Sequence, residues 1–457
     1  MTAALLIATF LSAIEVSIIS TAMPVIANQL GGMHLISWVY ATYLLSSAVM
    51  APIFGKLADL FGRKNIFMAS VSLFLIGSVL CGFSQSMQQL IIFRLIQGLG
   101  AGGLLPLSQT IIGDIYQFEK RAKVQGLISS IWGISGLLGP FLGGVLTEYL
   151  SWHWIFFINL PFGLLSMFMI GRYLQQESFY RQQKIDYAGA VTFMIGMGAL
   201  LFALLSGGQM LPWTSWTMII LVLIALLFLT LFIIIQLKHP EPLVPLKLFK
   251  QPQVALSNMS SFMGSSILIG LNAYLPLWIQ GVFLLKATSS GLTLIPMSLG
   301  WPLGAFFTGQ FITRLGTRRI AIIGVIFILC GALLLTTIGL ETPYWVLVGI
   351  MFLIGLGFGC SFTVYTVVVQ SSVATSLRGS ATSSNMFMRI MGQTVGIAIL
   401  GTVLNHHIGG QPEMQPPEVL AGGLHAIFVL LAVFAFIMLT ITFWIPRYKP
   451  GQKQESV

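Results

Sequence analysis

The sequence predicts an all-α membrane protein that crosses the bilayer fourteen times and has both termini in the cytoplasm. Three observations support this fold class: the composition, the spacing of the apolar runs and the placement of the basic residues. Of 457 residues, 56% are hydrophobic and only 7% are charged, whereas an average soluble protein is about 25% charged. So few charges cannot cover a surface in water, and most of the surface must therefore contact hydrocarbon.

The apolar runs have the length of membrane spans. A helix that crosses the hydrocarbon core needs about 20 mostly apolar residues, and fourteen runs meet this requirement. The predicted spans cover residues 4–26, 35–58, 66–84, 89–113, 122–147, 153–173, 185–206, 215–237, 254–280, 290–311, 319–337, 343–370, 380–404 and 422–445.

The basic residues fall on alternate loops. If the N-terminus is cytoplasmic, the inner loops hold pairs such as Arg63–Lys64 and Arg318–Arg319, while the outer loops hold only Lys286. Membrane proteins concentrate Lys and Arg in cytoplasmic loops, so the net charge of +10 reflects topology and does not call for a nucleic-acid partner. We expect a multi-pass protein of the plasma (inner) membrane of a bacterium.

Two similar turns predict an internal repeat. "GKLADLFGRKN" (55–65) follows the second span, and "GQFITRLGTRR" (309–319) follows the tenth. Repeated halves that enclose a central substrate site are common in transporters, although any tight cytoplasmic turn also favours glycine and basic residues. The repeat predicts a six-helix bundle in 1–174, a linker with two extra spans in 175–249, a second six-helix bundle in 250–446 and a cytoplasmic tail in 447–457.

Glu15 is the one acid clearly inside a predicted span, within "FLSAIEVSIISTAMP" (10–24). It lies about 16 Å from the start of its span, near the middle of the bilayer. An ionisable group there is costly and is read first as functional, since burial can raise the pKa of a carboxyl group towards neutrality. This position favours a role in binding and releasing a proton or cation. The alternative is a fixed pair with an interior arginine that serves packing.

Two arginines also fall inside predicted spans, Arg94 and Arg389. Arg94 can serve as a fixed hydrogen-bond donor to backbone carbonyls. Arg389 can line the cavity, offset Glu15 or select anionic groups of a substrate. The residues alone do not decide between these alternatives.

Several motifs give the chain a resemblance to a known family. They are the turn at 55–65, "IEVSIISTAMP" (14–24), "RLIQGLGAGG" (94–103), "GISGLLGPFLGG" (133–144) and "SWHWIFFINLPFG" (151–163). The sequence resembles the major facilitator superfamily, and most closely its fourteen-helix drug:proton antiporter branch. This resemblance implies two six-helix bundles with a central two-helix insertion. The family usually has Asp at the position of Glu15 and often Arg at that of His153.

The resemblance also implies roles for individual residues. It assigns Glu15 and Arg94 to proton coupling. It assigns a cytoplasmic gating motif to Gly55, Asp59, Gly62, Arg63 and Lys64, and an antiporter motif to Gly136, Gly139, Pro140, Gly143 and Gly144. Glycines at helical spacing let two backbones approach closely, so ordinary packing is the alternative for the antiporter motif.

Polar and aromatic side chains inside the predicted spans are the candidates for contact with a substrate. The candidates are Trp38, Tyr43, Gln97, Trp132, Asn258, Asn272, Tyr274, Trp278, Tyr365, Asn385 and Arg389. Aromatic faces and thioethers suit varied flat or cationic ligands. However, Trp and Tyr also gather at membrane interfaces for reasons unrelated to binding.

The sequence lacks the motifs of an ATP-driven pump or a hydrolase, and the spacing of its three cysteines predicts no metal site. We therefore expect a monomeric transporter, not an enzyme, that needs no cofactor beyond the proton gradient. It would export amphipathic, cationic drugs or toxic compounds by alternating access. The alternatives are export of an endogenous metabolite, siderophore or lipid, and a membrane sensor or channel.

Overall fold

A computed structural model describes residues 2–115, 118–174, 186–207, 211–240, 242, 246–373, 378–408 and 416–446. The predicted tail at 447–457 and most of the predicted linker before residue 186 lie outside these ranges. The helices are α1 (Thr2–Leu30), α2 (Ile36–Phe61), α3 (Arg63–Gly82), α4 (Met87–Ile115), α5 (Phe118–Tyr149), α6 (Trp154–Phe157), α7 (Asn159–Tyr173), α8 (Tyr187–Ser206), α9 (Trp216–Lys238), α10 (Pro252–Leu277), α11 (Ala287–Leu315), α12 (Thr317–Leu335), α13 (Tyr344–Ser371), α14 (Arg378–Ile408) and α15 (Pro417–Phe443). Short 3₁₀ segments cover Met33–Leu35 and Leu246–Lys250, and a π-helical turn covers Trp278–Val282.

Helices dominate because a segment in hydrocarbon must satisfy its own backbone polar groups. The polar side chains obey the same constraint. The hydroxyls of Thr9, Ser108 and Ser361 each donate to the carbonyl four residues earlier, at 2.7 to 2.8 Å. These three hydroxyls therefore sit inside their helices with a hydrogen-bond partner in an apolar environment.

Twelve helices in the described ranges are long and apolar enough to cross a membrane. The helices α5 and α11 are of similar length but are not among these twelve. Both are rich in glycine and serine, which fits helices that pack against protein. The all-α membrane fold is therefore confirmed, while the count of fourteen spans and the cytoplasmic position of both termini stay predictions.

The turns between helices alternate between two ends of the bundle. One end, called here the Arg63 end, holds the α2–α3 turn and the α11–α12 turn. The other, called here the Lys286 end, holds the α1–α2 turn, the α5–α6 turn and the residues before α11. This naming is independent of which end faces the cytoplasm.

The helices form two groups. Helices α1 to α7 pack mainly among themselves and form the N-terminal half, and helices α10 to α15 form the C-terminal half. The halves meet where α5 packs on α11, where α2 packs on α14 and where α1 packs on α10.

The repeated turn has the same backbone form in both halves. Gly62 is the single residue between α2 and α3, with φ of 89°, and Gly316 is the single residue between α11 and α12, with φ of 81°. A positive φ is readily adopted by glycine alone. The second glycine of each sequence copy is thus required by the turn.

The inserted pair α8–α9 lies against the junction of the two halves. Asp186 caps α8 by accepting from the N–H of Gly189 at 2.7 Å, and its other oxygen accepts from Gln236 of α9 at 2.6 Å. The α8 helix packs on both α2 and α14, with the hydroxyl of Thr402 donating to the carbonyl of Leu204 at 2.5 Å. The insertion is therefore attached to both halves through one of its two helices.

Candidate functional site

Glu15 lies inside the N-terminal half, with none of its surface exposed. One carboxylate oxygen accepts from Nη1 of Arg94 on α4, and the other accepts from Nδ2 of Asn159 on α7 at 2.7 Å. Arg94 is 1% exposed. A buried charge is tolerated when it is paired and hydrogen-bonded, and both conditions hold here.

Arg94 connects the acid to two more side chains. Its Nη1 also donates to Oε1 of Gln97 at 2.8 Å, and its Cζ lies 4.0 Å from the ring centroid of Tyr43 on α2. Within the described part of the chain, Nε of Arg94, Nε2 of Gln97 and Oδ1 of Asn159 are buried without a hydrogen-bond partner. The cluster thus keeps spare donors and an acceptor around a single carboxylate.

Asn159 is held in place by α3 and the α6 segment. Its Nδ2 also donates to Oγ of Ser78 at 2.9 Å, and Ser78 in turn donates to the carbonyl of Phe156 at 2.8 Å. Next to Ser78, Gly77 lies against the backbone of Gln97, where any Cβ would overlap it. The missing side chain at Gly77 therefore lets α4 bring Arg94 and Gln97 close to the acid.

The glycines of "GISGLLGPFLGG" face two different helices. A Cβ on Gly139 or Gly143 would overlap Ser17, Ile18 or Thr21 of α1, and a Cβ on Gly136 or Gly144 would come within 2.9 Å of Ser298 or Thr288 of α11. Hydrogen bonds reinforce both contacts: Thr21 donates to the carbonyl of Pro140 at 3.2 Å, and Ser298 donates to that of Gly136 at 2.6 Å. This stretch therefore joins α1 to the C-terminal half by close backbone packing.

The C-terminal half has a buried polar cluster without an acid. Nδ2 of Asn385 donates to Oδ1 of Asn258 at 2.8 Å and to Oγ of Ser261 at 3.0 Å, and Asn258 donates to Ser384 at 3.2 Å. One helical turn further along α14, the guanidinium of Arg389 lies 4.2 Å from the ring centroid of Phe362. Arg389 does not pair with Glu15, whose two oxygens face Arg94 and Asn159.

The two halves also contact each other at the Lys286 end. Lys286 donates to one oxygen of Glu148 at 2.7 Å, and the hydroxyl of Thr288 donates to the other at 2.7 Å. The hydrogen bond from Lys286 is the main cause that lowers the pKa of the Glu148 carboxyl group below its usual value. Ser37 and Tyr274 share a hydrogen bond of 2.8 Å across the same interface.

A family model of the Major Facilitator Superfamily matches residues 5–189 and 177–397 of this chain. The chain belongs to the major facilitator superfamily. The family predicted from the sequence motifs is therefore confirmed, and the protein is a multi-pass transporter of the plasma membrane and not an enzyme.

Relatives in the superfamily share about a third or more of this sequence. The chain is 39% identical over 399 residues to multidrug resistance protein 3 of Bacillus subtilis (strain 168), covering 87% of this chain and 78% of that protein. It is 37% identical over 405 residues to the multidrug transporter protein MdtP of the same organism, covering 89% and 75%.

Solved structures share the fold. A bacterial homolog of the human lysosomal transporter Spinster, in its inward-facing and unoccupied conformation, matches with a TM-score of 0.70 at 16% identity over 98% of both chains. The nucleoside transporter NupG matches with a TM-score of 0.69 at 15% identity, covering 97% of this chain and 99% of that one. At these identities the match supports the superfamily fold alone.

The predicted gating motif surrounds the α2–α3 turn of this superfamily member. Arg63 donates to the carbonyl of Thr110 on α4 at 3.2 Å, and Lys64 donates to that of Gly171 on α7 at 2.6 Å. Gly62 supplies the positive φ, and Gly55 has open space around it. The side chain of Asp59 lies outside the described part, so its role stays a prediction.

Most predicted substrate residues of the transporter are engaged in helix packing. Tyr365 bonds to Thr442 at 2.6 Å, Trp278 is fully buried beside Phe428, and Trp38 contacts Phe202 of α8 with ring centroids 5.5 Å apart. Asn272 is half-buried, and the side chain of Trp132 lies outside the described part. Arg389 is also half-buried, and it is the charged member of the set.

Sequence reasoning missed three residues of this superfamily member. Asn159 holds Glu15, Asp186 is a second buried acid, and Glu148 bridges the halves. Asn159 could have been identified from the sequence, because it is the one amide in the apolar stretch "WIFFINLPFG". Asp186 lies at the very edge of a predicted span, where an acid reads as solvated.

Proposed function

We propose that this transporter is a proton-coupled antiporter that exports amphipathic compounds from the cell by alternating access. The single observation that carries the proposal is the buried Glu15, held by Arg94 and Asn159 in the middle of α1. Similarity to two Bacillus subtilis proteins named for multidrug resistance and multidrug transport supports efflux as the direction.

The coupling step is the gain and loss of a proton at Glu15. Protonation removes the negative charge that attracts Arg94, and a hydrogen bond to a charged group contributes about 1.5–3 kcal/mol. Arg94 then keeps Gln97 and the face of Tyr43 as partners. Of the spare polar atoms, Oδ1 of Asn159 can accept a hydrogen bond from Arg94 or from the protonated carboxyl group, whereas Nε of Arg94 and Nε2 of Gln97 can only donate.

The α1 helix connects this event to the interface between the halves. Ser17, two residues after Glu15, donates to the carbonyl of Ser135 on α5 at 3.1 Å. One turn further, the carbonyl of Thr21 accepts from Gln280 of the C-terminal half at 2.9 Å. A change in the position of α1 therefore acts on α5 and on the C-terminal half together.

The contacts between the halves support an inward-open state. Within the described ranges, the hydrogen bonds that join the halves, such as those of Lys286 with Glu148 and Asn405 with the carbonyl of His34, lie towards the Lys286 end. We place that end outside the cell, because the basic pairs of the Arg63 end obey the positive-inside rule. Proton release from Glu15 to the cytoplasm would then precede substrate capture.

We propose amphipathic compounds as the substrate class and do not specify the sign of their charge. Partly buried aromatic residues such as Trp301 suit amphipathic skeletons. The cationic substrate expected from the sequence stays a prediction, since Glu15 already has Arg94 as its counter-charge. We expect the transporter to act as a monomer that uses the proton gradient and no bound cofactor.

The test is flux in proteoliposomes with an acidic interior and the membrane potential held at zero. Ethidium, an amphipathic cation, and pyrenebutyrate, an amphipathic acid, are supplied outside. An antiporter accumulates its substrate in exchange for protons, with saturation, by up to about tenfold per proton for each pH unit. Collapsing the gradient with nigericin must abolish the accumulation. A channel would give flux without saturation or uphill movement, and failure to accumulate either probe would contradict the proposal.

A further inference from the structure

Arg389 carries a charge in the middle of α14, and no acid among the described residues offsets it. In the part of the chain that the structure describes, no carboxylate lies within 4.0 Å of its guanidinium; the ion pairs found there are Arg94–Glu15 and Lys286–Glu148. The side chain is only half-buried, so part of it is accessible. An ionisable side chain inside a membrane helix almost always pairs with a partner or serves a function.

The C-terminal half cannot supply the missing negative charge from its described residues. Its acids there are Glu341, in the α12–α13 turn, and Glu418, in the first turn of α15. Both lie at the Lys286 end and not at mid-helix. The counter-charge of Arg389 must therefore come from outside the described C-terminal half.

Neighbouring polar groups do not neutralise the charge either. Asn385, one turn earlier on α14, uses its Nδ2 for Asn258 and Ser261. Amides and hydroxyls are dipoles without net charge, and this cluster satisfies its own hydrogen bonds. Arg389 thus keeps the only full charge in this neutral environment among the described residues.

The guanidinium is positioned by aromatic residues and keeps its donors. Its Cζ lies 4.2 Å from the ring centroid of Phe362 on α13, and a cation–π contact uses the face of the ring and none of the five N–H groups of arginine. Phe362 stacks on Trp301 of α11 with centroids 5.4 Å apart and an interplanar angle of 4°. Three helices of the C-terminal half therefore place a cation with free donors beside a stack of aromatic rings in which Trp301 is partly exposed.

We propose that Arg389 binds an acidic group, a carboxylate or sulfonate, of the transported compound, while its apolar skeleton packs near Phe362 and Trp301. A planar guanidinium matches a carboxylate with two parallel hydrogen bonds. The proposal rests on the efflux function above and names a substrate class for it: amphipathic acids, including zwitterions whose cationic group binds elsewhere.

The experiment compares equilibrium binding of pyrenebutyrate with that of its primary amide, which has the same skeleton without the charge. Fluorescence anisotropy is measured in detergent on the full chain, so no proton gradient is needed. The wild-type protein should bind the acid about tenfold or more tightly than the amide. Arg389→Gln should remove this preference, leaving affinity for the amide within about twofold, and Arg389→Lys should retain part of it.

Arg318→Gln is the matched control. Arg318 is also half-buried in the C-terminal half and lies 4.7 Å from the ring centroid of Phe443, but it is at the Arg63 end in the first turn of α12. It should keep the full preference for the acid. Thermal unfolding of each variant confirms that the protein is folded.

Three results would overturn the proposal. The first is a wild-type protein that shows no preference for the acid, whether it binds both probes or neither. The second is an unchanged preference in Arg389→Gln. The third is an equal loss of affinity for both probes in folded Arg389→Gln. If Arg389→Gln does not fold, the wild-type comparison and Arg389→Lys decide. Failure of the efflux function would appear separately, as missing pH-driven flux with normal binding.

Discussion

Gly139 of α5 lies directly against Ser17 of α1, two residues after Glu15, so that any side chain at Gly139 would overlap the Ser17 hydroxyl. This contact joins the acid-bearing helix to the helix that also packs on the C-terminal half. Ser17 donates there to the carbonyl of Ser135 at 3.1 Å. The antiporter motif and the buried acid are thus parts of one packed unit.

We expect Gly139→Leu to reduce turnover by at least about tenfold, because the larger side chain forces α1 and α5 apart and overpacking typically costs about 1–3 kcal/mol. Flux in proteoliposomes measures the effect. Gly198→Leu on α8 is the control, because open space surrounds Gly198. Replacing Ser17 with Gly should partly restore a Gly139→Ala variant. Normal turnover in Gly139→Leu would show that close packing at this point is dispensable.

Glu15→Gln should abolish pH-driven accumulation while leaving equilibrium binding of the substrate in place. The amide keeps the shape of the side chain and one acceptor oxygen for either Arg94 or Asn159, but its NH2 group can only donate and it cannot exchange a proton. The measurement is accumulation against a gradient, compared with exchange of labelled substrate at equal pH. Asp186→Asn is a matched control, since Asp186 is likewise buried but lies in the inserted pair. Uphill flux in Glu15→Gln equal to that of wild type would reject the coupling role.

Arg94→Met should destabilise the protein by about 3–5 kcal/mol, because it leaves the buried carboxylate without its cation. The double variant Arg94→Met with Glu15→Gln should lose less stability than the sum of the losses in the two single variants, since no unpaired charge remains. Chemical unfolding in detergent gives the three values. Strict additivity would mean that the two side chains do not stabilise each other.

The Glu148–Lys286 contact should survive mild acid. The pKa of the Glu148 carboxyl group is lowered by Lys286, so its contribution is present above the ordinary pKa of about 4.3 and is lost only as the pH falls through the lowered value. In a Glu15→Gln background, which removes the proposed proton switch, spin labels at the exposed positions Tyr149 and Leu284 should therefore report the same distance at pH 7.5 and pH 5.0.

In the same assay, Glu148→Gln should shift the population towards longer distances, because the amide cannot attract Lys286 as an ion. Glu341→Gln, at the same end, should leave the distances unchanged. A distance in the Glu15→Gln background that lengthens between pH 7.5 and pH 5.0 would contradict the assignment of this contact.

The sequence was sufficient to predict the membrane fold, the family and a functional role for Glu15. Each depends on local signals: apolar runs of fixed length, a glycine before basic residues, and one acid among apolar side chains. The repeated turn is a direct example, because a single glycine with positive φ is needed at Gly62 and again at Gly316.

The partners of Glu15 could not be derived in the same way. Asn159 is 144 residues away along the chain, and the rotation of a helix that is apolar on every face cannot be read from its hydrophobic pattern. The choice of substrate candidates depends on the same unknown rotation, and these candidates stay predictions. Trp38 and Tyr365 have the residue types of a binding cavity, yet they pack on α8 and α15.

The attachment of α8 has a mechanical consequence. It runs beside α14, with contacts from Phe193–Phe387 near one end to Leu204–Thr402 near the other, whereas the aromatic contact with α2 is at Trp38–Phe202. Since α8 packs on α2 as well as on α14, any change in the position of one half relative to the other must alter the contacts of α8. The inserted pair therefore covers one flank of the junction and restrains how the two halves can separate there.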